Sequence, residues 1–318
     1  MSKIKLLNNI KIKLLLVLIL ILMMIKILII ISFKTKKISK NLKICLCIMG
    51  KNENLYAKEY INHYKRIGYN HIFLYDNNDI NGERFDDELQ EELNEGFLTI
   101  INYRGIGNGP QLKIYYDCYE KNNQEYDWLS FFDFDEFLEL PNNKNIQELL
   151  ANKRYKKCQN IKINALYYSD NELLFYDNRP VQIRFTTPLL NYSKNFVIKS
   201  TVRGKLKDNY WKKSNCAHTS LMNYISCNSN GEIIKYNAGR NYKYNFTYAV
   251  LKHYYTKSVE EFYNKVKRGE AFYKNFSFNN RRIISKIRRY FEINIKTKEK
   301  IELFLKLFNL EDIYKNYF

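Results

Sequence analysis

Glycine and proline are scarce in this chain, at 11 and 4 of 318 residues. So little of either argues against long flexible linkers and low-complexity tracts, and the sequence reads as packed structure. No internal repeat is evident. The Walker A, GxGxxG, HExxH and GxSxG signatures are all missing, which removes the nucleotide-loop, zincin and serine-hydrolase readings they would support. The six cysteines, Cys45, Cys47, Cys118, Cys158, Cys216 and Cys227, have no zinc-knuckle spacing. There is no RNA-recognition signature, helix-turn-helix or basic zipper, so nucleic acid is not an expected partner.

Acid is also in deficit: 33 Asp and Glu stand against 52 Lys and Arg, for a net charge of +19. Ten of the lysines and no acid fall in residues 1–43, which leaves +9 on the body from residue 44 onward. A basic body suits a nucleotide diphosphate, nucleic acid or anionic lipid; the plainer alternative is a lysine-rich solvated surface. Hydrophobic content of 46% and aromatic content of 16% are enough to pack one large domain or two small ones.

Residues 14–33 are apolar except for Lys26 and Ser32. About 20 such residues span a bilayer as a helix, and Lys26 can snorkel toward the interface. No small-residue cleavage site follows, so the stretch is expected to be a signal anchor, behind a basic tail (1–13) and before a basic stalk (34–43). Lysines on both sides leave the orientation open. Cys45 and Cys47, two apart in an expected strand, share a face, and buried thiols are the default expectation; lumenal disulfides are the alternative, with Cys216–Cys227 the pair to test first. The sequons at Asn191, Asn245 and Asn275 occur at about the frequency chance gives.

From Ile44 the pattern alternates strand and helix. Ile44–Met49 is a strand ending at Gly50-Lys51-Asn52-Glu53. Asn54 opens a helix through Tyr56, Tyr60, Tyr64 and Ile67, closed by Gly68. Strands are expected at His71–Tyr75, Phe97–Tyr103 and Trp128–Phe132, and a helix at Gln111–Asn122. Short apolar strands between helices predict an α/β fold with a mainly parallel sheet covered on both faces. Ligands bind beyond the carboxyl ends of such strands, where Glu53, Asp76, Asp133 and Asp135 fall. Further strands are expected at Asn160–Tyr167, Val181–Phe185, Phe196–Val202 and Thr247–Tyr255. Ser258 and Glu261 make a capping box before a helix with Val259, Phe262, Tyr263 and Val266 on one face. Basic amphipathic helices follow over residues 281–300.

The stretch WLSFFDFDEFLEL, residues 128–140, sets three carboxylates at the end of an apolar strand. Asp133 and Asp135 alternate onto one side of an extended chain and suit a hard divalent ion, Mg²⁺ or Mn²⁺, shared with a substrate diphosphate. The alternative is a polar loop. Glu136 orients a ligand or faces solvent. His253, at the end of a strand, is a third metal ligand or a hydrogen-bonded core residue; His218 is a weaker case of the same kind. Asp76 accepts from a ribose or base, or serves the Asp-Asn-Asn-Asp turn. Lys199 and Arg203 neutralise phosphate oxygens, or lie on an exposed strand edge.

Four segments together resemble glycosyltransferase family 92 and the related family-2-like transferases. They are KNENLYAKEYINHYKRIGYNHIFLYDNND, WLSFFDFDEFLEL, VIKSTVRG and HYYTKSVEEFYNKVKRGEA, in that order over about residues 44–275. The resemblance implies a GT-A fold (a Rossmann-like sheet) over residues 44–280; the helical extension expected over 281–318 has no counterpart in it. The resemblance also implies a nucleotide-sugar donor, a divalent metal and an inverting outcome. By position, Asp133 and Asp135 would hold the metal and His253 would complete its coordination. Lys51, Glu53, Asp76 and Gln111 would border the nucleotide, and Lys199 and Arg203 would offset phosphate charge. Tyr60 stands where Trp is commoner and Gly204 where Pro is common. Residues 167–177 match poorly, where acceptor recognition would lie.

The expected activity is sugar transfer to a hydroxyl of a glycan or glycoconjugate. An inverting reaction needs a base, for which Asp170, Glu172 and Asp177 are candidates. The rival readings are a membrane-tethered module for nucleic acid or anionic lipid, and a different metal-dependent α/β enzyme such as a phosphohydrolase. A bilayer contact through residues 14–33 would make this a type II Golgi or endoplasmic-reticulum protein in a eukaryote, and an inner-membrane protein with a cytoplasmic body in a bacterium.

Overall fold

The computed structural model describes residues 18–26, 41–106, 111–206, 224–234, 240, 245–269 and 280–311. Residues 18–26 are helical and belong to a unit of their own, residues 1–41. The rest of the expected span 14–33 lies outside the described residues, and no helix among the described residues is long and apolar enough to cross a membrane. Residues 42–318 form the second compact unit.

That unit is built on one mixed sheet. Strands β1 (Ile44–Gly50), β2 (His71–Asp76), β3 (Leu98–Asn102) and β4 (Trp128–Phe131) run parallel in the order β3-β2-β1-β4. Strands β1 and β4 are short, almost wholly buried apolar runs, the composition a sheet covered on both faces selects, and burial falls off through β2 to the edge strand β3. The sheet continues with β5 (Glu136–Glu139), β6 (Asn160–Tyr167), β7 (Ile198–Arg203), β8 (Ser226–Asn228) and β9 (Val250–His253), in the order β4-β7-β6-β9-β5 with β8 beside β6. Here β4–β7, β6–β7 and β5–β9 are antiparallel, so the parallel arrangement is confined to one half and to the β6–β8 and β6–β9 pairs.

The five longest described helices are α1 (Asn54–Arg66), α2 (Gln111–Asn122), α3 (Val259–Arg268), α4 (Asn280–Phe291) and α5 (Lys298–Leu307). Helix α1 buries Tyr60 and Tyr64 against Phe132, Phe134 and Phe137, the aromatic residues interleaved with the acids. Gly68, at φ +94°, turns the chain out of α1 in a conformation that L side chains resist. The capping box of α3 is formed as expected: Ser258 accepts from the Glu261 amide at 3.3 Å and the Glu261 carboxylate accepts from the Ser258 amide at 3.2 Å. Helices α4 and α5 pack Ile283, Ile287, Tyr290 and Phe304 onto Val259, Phe262 and Val266 of α3.

Three expectations are corrected. Residues Val181–Arg184 form a helical turn rather than a strand. Pro180 sets its start, and the Glu59 carboxylate of α1 takes the Val181 amide at 2.8 Å, satisfying a donor that a helix start leaves open. Cys227 is bonded to Cys158, not to Cys216, which lies outside the described residues. Cys45 is a buried free thiol as expected, but Cys47 is not: a second disulfide, Cys47–Cys118, ties β1 to α2.

Candidate active site

Strand register decides which side chains meet. Glu136 sits directly opposite His253 in the β5–β9 pair, and Tyr167 lies on the other side of His253 in β6–β9. In β4–β7, Ser200 faces Phe131 and Arg203 faces Trp128. Lys199 therefore stands beside the residues that leave β4, whereas Arg203 lies four residues away, about 13 Å along a strand.

Beyond the carboxyl ends of β1, β4 and β9 is a cleft of about 250 Å³, lined by Lys51, Glu53, Gln111, Asp133, Asp135 and His253, among others. Asp135 is buried, with His253 Nε2 at 3.5 Å from its Oδ2 and the Lys265 ammonium bonded to the same oxygen. Burial would raise the Asp135 carboxyl, but Lys265 and His253 outweigh it and hold the group well below its usual range. Burial lowers His253, against the pull of Asp135, so the ring is neutral and offers a lone pair.

Glu136 is completely buried, and that burial pushes its carboxyl up to about 8, with Lys199 opposing and Asp133 and Asp135 adding. Its Oε2 accepts from the Asp133 amide at 3.0 Å and lies 3.1 Å from Lys199 Nζ. Glu136 Oε1 and His253 Nδ1 face each other at 3.8 Å, and neither has a hydrogen-bond partner among the described residues. Asp135, Glu136 and His253 each offer one ligand atom, all within 4.8 Å of one another. The Asp135 carboxylate, the Glu136 carboxyl, which a bound cation would deprotonate, and a neutral imidazole with unsatisfied buried atoms fit a hard or borderline divalent cation.

Asp133 is placed differently from its neighbour. Its Oδ2 is bonded by Lys199, and its Oδ1 accepts from Gln111 Nε2 at 2.9 Å and from the Tyr115 hydroxyl at 3.1 Å. Lys199, although buried, is held well above the usual lysine range by Asp133 and Glu136. The D-x-D pair thus lines one cleft with its two carboxylates in separate networks, and Glu136 joins Asp135 beside the imidazole.

Of the other expected residues, Lys51, Glu53 and Gln111 line the cleft, and Lys51 is 2.9 Å from Asp79. Glu53 is 2.5 Å from Arg268. Asp76 does not line the cleft. It is buried, accepts from the Asn78 amide in an Asx turn and pairs with Arg104 at 2.8 Å. Arg203 also falls outside: its guanidinium stands over the Trp128 ring and donates to the Cys158 and Tyr155 carbonyls. The three base candidates fall outside the cleft too. Asp170 is buried between Tyr290 and Lys300. Glu172 is exposed, and Asp177 is occupied by Arg179 at 2.7 Å. His218 lies outside the described residues.

The sequence reading missed Lys265, Arg268, Lys286 and Arg289, all lining the cleft from α3 and α4. Their only local signal is a position at helical spacing beside apolar core residues, which a solvated lysine face shares.

A mixed α/β sheet whose strand ends gather carboxylates, an imidazole and a ring of cations defines a cleft for a charged ligand. A family model described as glycosyltransferase family 92 matches residues 40–299, and the chain belongs to that family. A family 92 protein of Oryza sativa subsp. japonica is 30% identical over 116 residues, 36% of this chain and 19% of its own length. One of Arabidopsis thaliana is 30% identical over 117 residues, 35% and 19% of the two lengths. The chain thus spans about a fifth of the length of the curated relatives it matches. Among solved structures, S. aureus TarS 1-349 in complex with UDP-GlcNAc aligns over 84% of this chain and 79% of that one, with 13% identity and a TM-score of 0.40.

Proposed function

We propose that this family 92 protein transfers a sugar from a nucleotide-sugar donor to a hydroxyl of a glycan or glycoconjugate, with inversion at the anomeric carbon. The observation that carries the reading is the cluster of Asp135 and His253, which line the cleft, with the fully buried Glu136 beside them, and the two buried polar atoms left unsatisfied among the three. These three residues would hold Mn²⁺ or Mg²⁺, and Asp133 would border the same donor group. A divalent ion bound there supplies Lewis-acid stabilisation of the departing diphosphate. Lys199 keeps Asp133 and Glu136 from repelling each other, and Gln111 and Tyr115 fix the Asp133 rotamer. Lys51 and Glu53, beyond β1, border the nucleotide. None of Asp170, Glu172 and Asp177 acts as the base in this reading, because none lines the cleft.

For the compartment, we infer a single-span anchor through residues 14–33 and a body in an oxidising space. The disulfides Cys47–Cys118 and Cys158–Cys227 support the second point, since such bonds persist where thiols are not kept reduced.

The test is incubation of the full chain in detergent with Mn²⁺ and a panel of nucleotide sugars. Release of nucleoside diphosphate, as donor hydrolysis or transfer, supports the proposal. Phosphate release from simple esters, or steeply salt-dependent nucleic-acid or lipid binding without sugar transfer, overturns it.

A further inference from the structure

Helix α4 lies beyond the four sequence segments that carry the resemblance, though within the residues the family model matches, and it forms part of the cleft wall. Lys286 and Arg289 are three residues apart on one helical face and both line the cavity that holds Asp133, Asp135 and His253. Their direction is set by packing. Ile283, Ile287 and Tyr290 bury the adjoining face of α4 against Val259, Phe262 and Val266, and Tyr290 donates to the buried Asp170.

The cations gather around one ring. The Arg289 guanidinium is 4.4 Å from the Tyr255 centroid and Lys265 Nζ is 4.1 Å from the same centroid. Lys265 is also bonded to Asp135, so the cluster reaches the candidate ion site itself. Burial pushes the Lys286 ammonium down to about 8, and Arg289 and Lys265 push it the same way. Arg289 Nε is buried without a hydrogen-bond partner among the described residues. Among the described residues, five Lys or Arg side chains line the cleft against three carboxylates. A divalent ion enlarges that excess, and an anionic ligand offsets it.

We propose that Lys286 and Arg289, with Lys265, form the wall that holds the diphosphate of the donor, opposite the carboxylates. The inference rests on the nucleotide-sugar reading and deepens it. A diphosphate fits better than an acidic acceptor because Lys265 joins this wall to Asp135. The ligand group that touches both needs closely spaced anionic oxygens next to the ion. Lys286 and Arg289 orient the leaving diphosphate and offset its charge as the bond to the sugar breaks.

The experiment uses the full chain in detergent, with calorimetric titration of UDP, GDP and inorganic pyrophosphate in the presence of Mn²⁺. Lys286→Gln, Arg289→Gln and the charge-preserving Arg289→Lys are compared, with the thermal transition of each variant recorded. The expected result is a loss of about ten-fold or more in diphosphate affinity for each Gln variant and a much smaller loss for Arg289→Lys. The donor KM rises with the same pattern while the acceptor KM does not. Wild-type binding with unchanged affinity in both folded Gln variants overturns this inference and leaves the transferase reading standing. An acceptor KM raised alone overturns it in favour of an acidic acceptor. Wild-type protein that binds neither nucleotide nor pyrophosphate with Mn²⁺ overturns both readings. Should Arg289→Gln not fold, Lys286→Gln decides the matter alone.

Discussion

The guanidinium of Arg184 donates to both carboxylate oxygens of Glu261, at 2.7 and 3.0 Å, and neither side chain reaches solvent. The Tyr56 hydroxyl donates to the same carboxylate at 2.8 Å. One ion pair thus joins the short helix at Val181 to the start of α3 and to α1. Burial alone would raise Glu261; Arg184 and Lys257 reverse that and keep it below its usual value. Arg184→Leu leaves a buried carboxylate without its fork and is expected to cost about 3–5 kcal/mol. Urea unfolding measures it, and a loss under about 1 kcal/mol would show that Lys257 suffices.

Asp170 separates a structural role from a catalytic one. Its Oδ2 lies 2.5 Å from the Tyr290 hydroxyl and 2.6 Å from Lys300 Nζ, and its backbone amide donates to Asn294. Asp170→Asn strands the buried Lys300 charge and is expected to lower stability by about 3 kcal/mol or more. Where the variant is folded, kcat stays within about ten-fold of wild type. A lost general base costs about 100-fold or more, and a drop of that size with the fold intact would return Asp170 to the reaction.

His63 gives the fold a titratable weak point. Its Nε2 is 2.8 Å from the Leu138 carbonyl and its Nδ1 is 3.3 Å from the Gln182 amide. Burial lowers its pKa from 6.5 to about 4. Over that interval the unfolded chain binds more protons than the folded one, so stability is intact above 6.5 and is lost as the pH falls toward 4. The shift corresponds to about 3 kcal/mol at most. Chemical denaturation at a series of pH values should show this slope in wild type and its loss in His63→Gln. Parallel profiles for the two proteins would place the acid sensitivity elsewhere.

The two aspartates of the D-x-D pair are expected to differ. Asp135→Asn and His253→Ala remove atoms from the candidate ion site and should each weaken Mn²⁺ binding by about ten-fold or more. Asp133→Asn, whose carboxylate is held by Lys199, Gln111 and Tyr115, should affect Mn²⁺ alone less and donor turnover strongly. Calorimetry with Mn²⁺ in the absence of nucleotide distinguishes them. Equal losses across all three variants would mean that the two carboxylates share one ion directly.

The apolar runs Ile44–Gly50, His71–Asp76 and Trp128–Phe131 were legible because a strand buried on both faces has a composition no exposed segment can imitate. The capping box at Ser258 was legible because its partners are three residues apart. Gly204 is different. A Cβ there would sit 1.9 Å from the Tyr126 carbonyl, a clash created by a segment nearly eighty residues earlier, which no local pattern contains.

What the sequence by itself determined was therefore local: the strand ends, the caps, and the presence of three acids where β4 stops. Which acid meets which cation was decided by tertiary register. The antiparallel β7 brings Lys199 to Asp133 and Glu136 and carries Arg203 away from them. Pairing of β5 with β9 sets Glu136 opposite His253, and packing of α4 on α3 brings Lys286 and Arg289 to the cleft. The physical reason is range: backbone propensity acts over a few residues, whereas a charge site is assembled from strands and helices that meet only after the chain has folded.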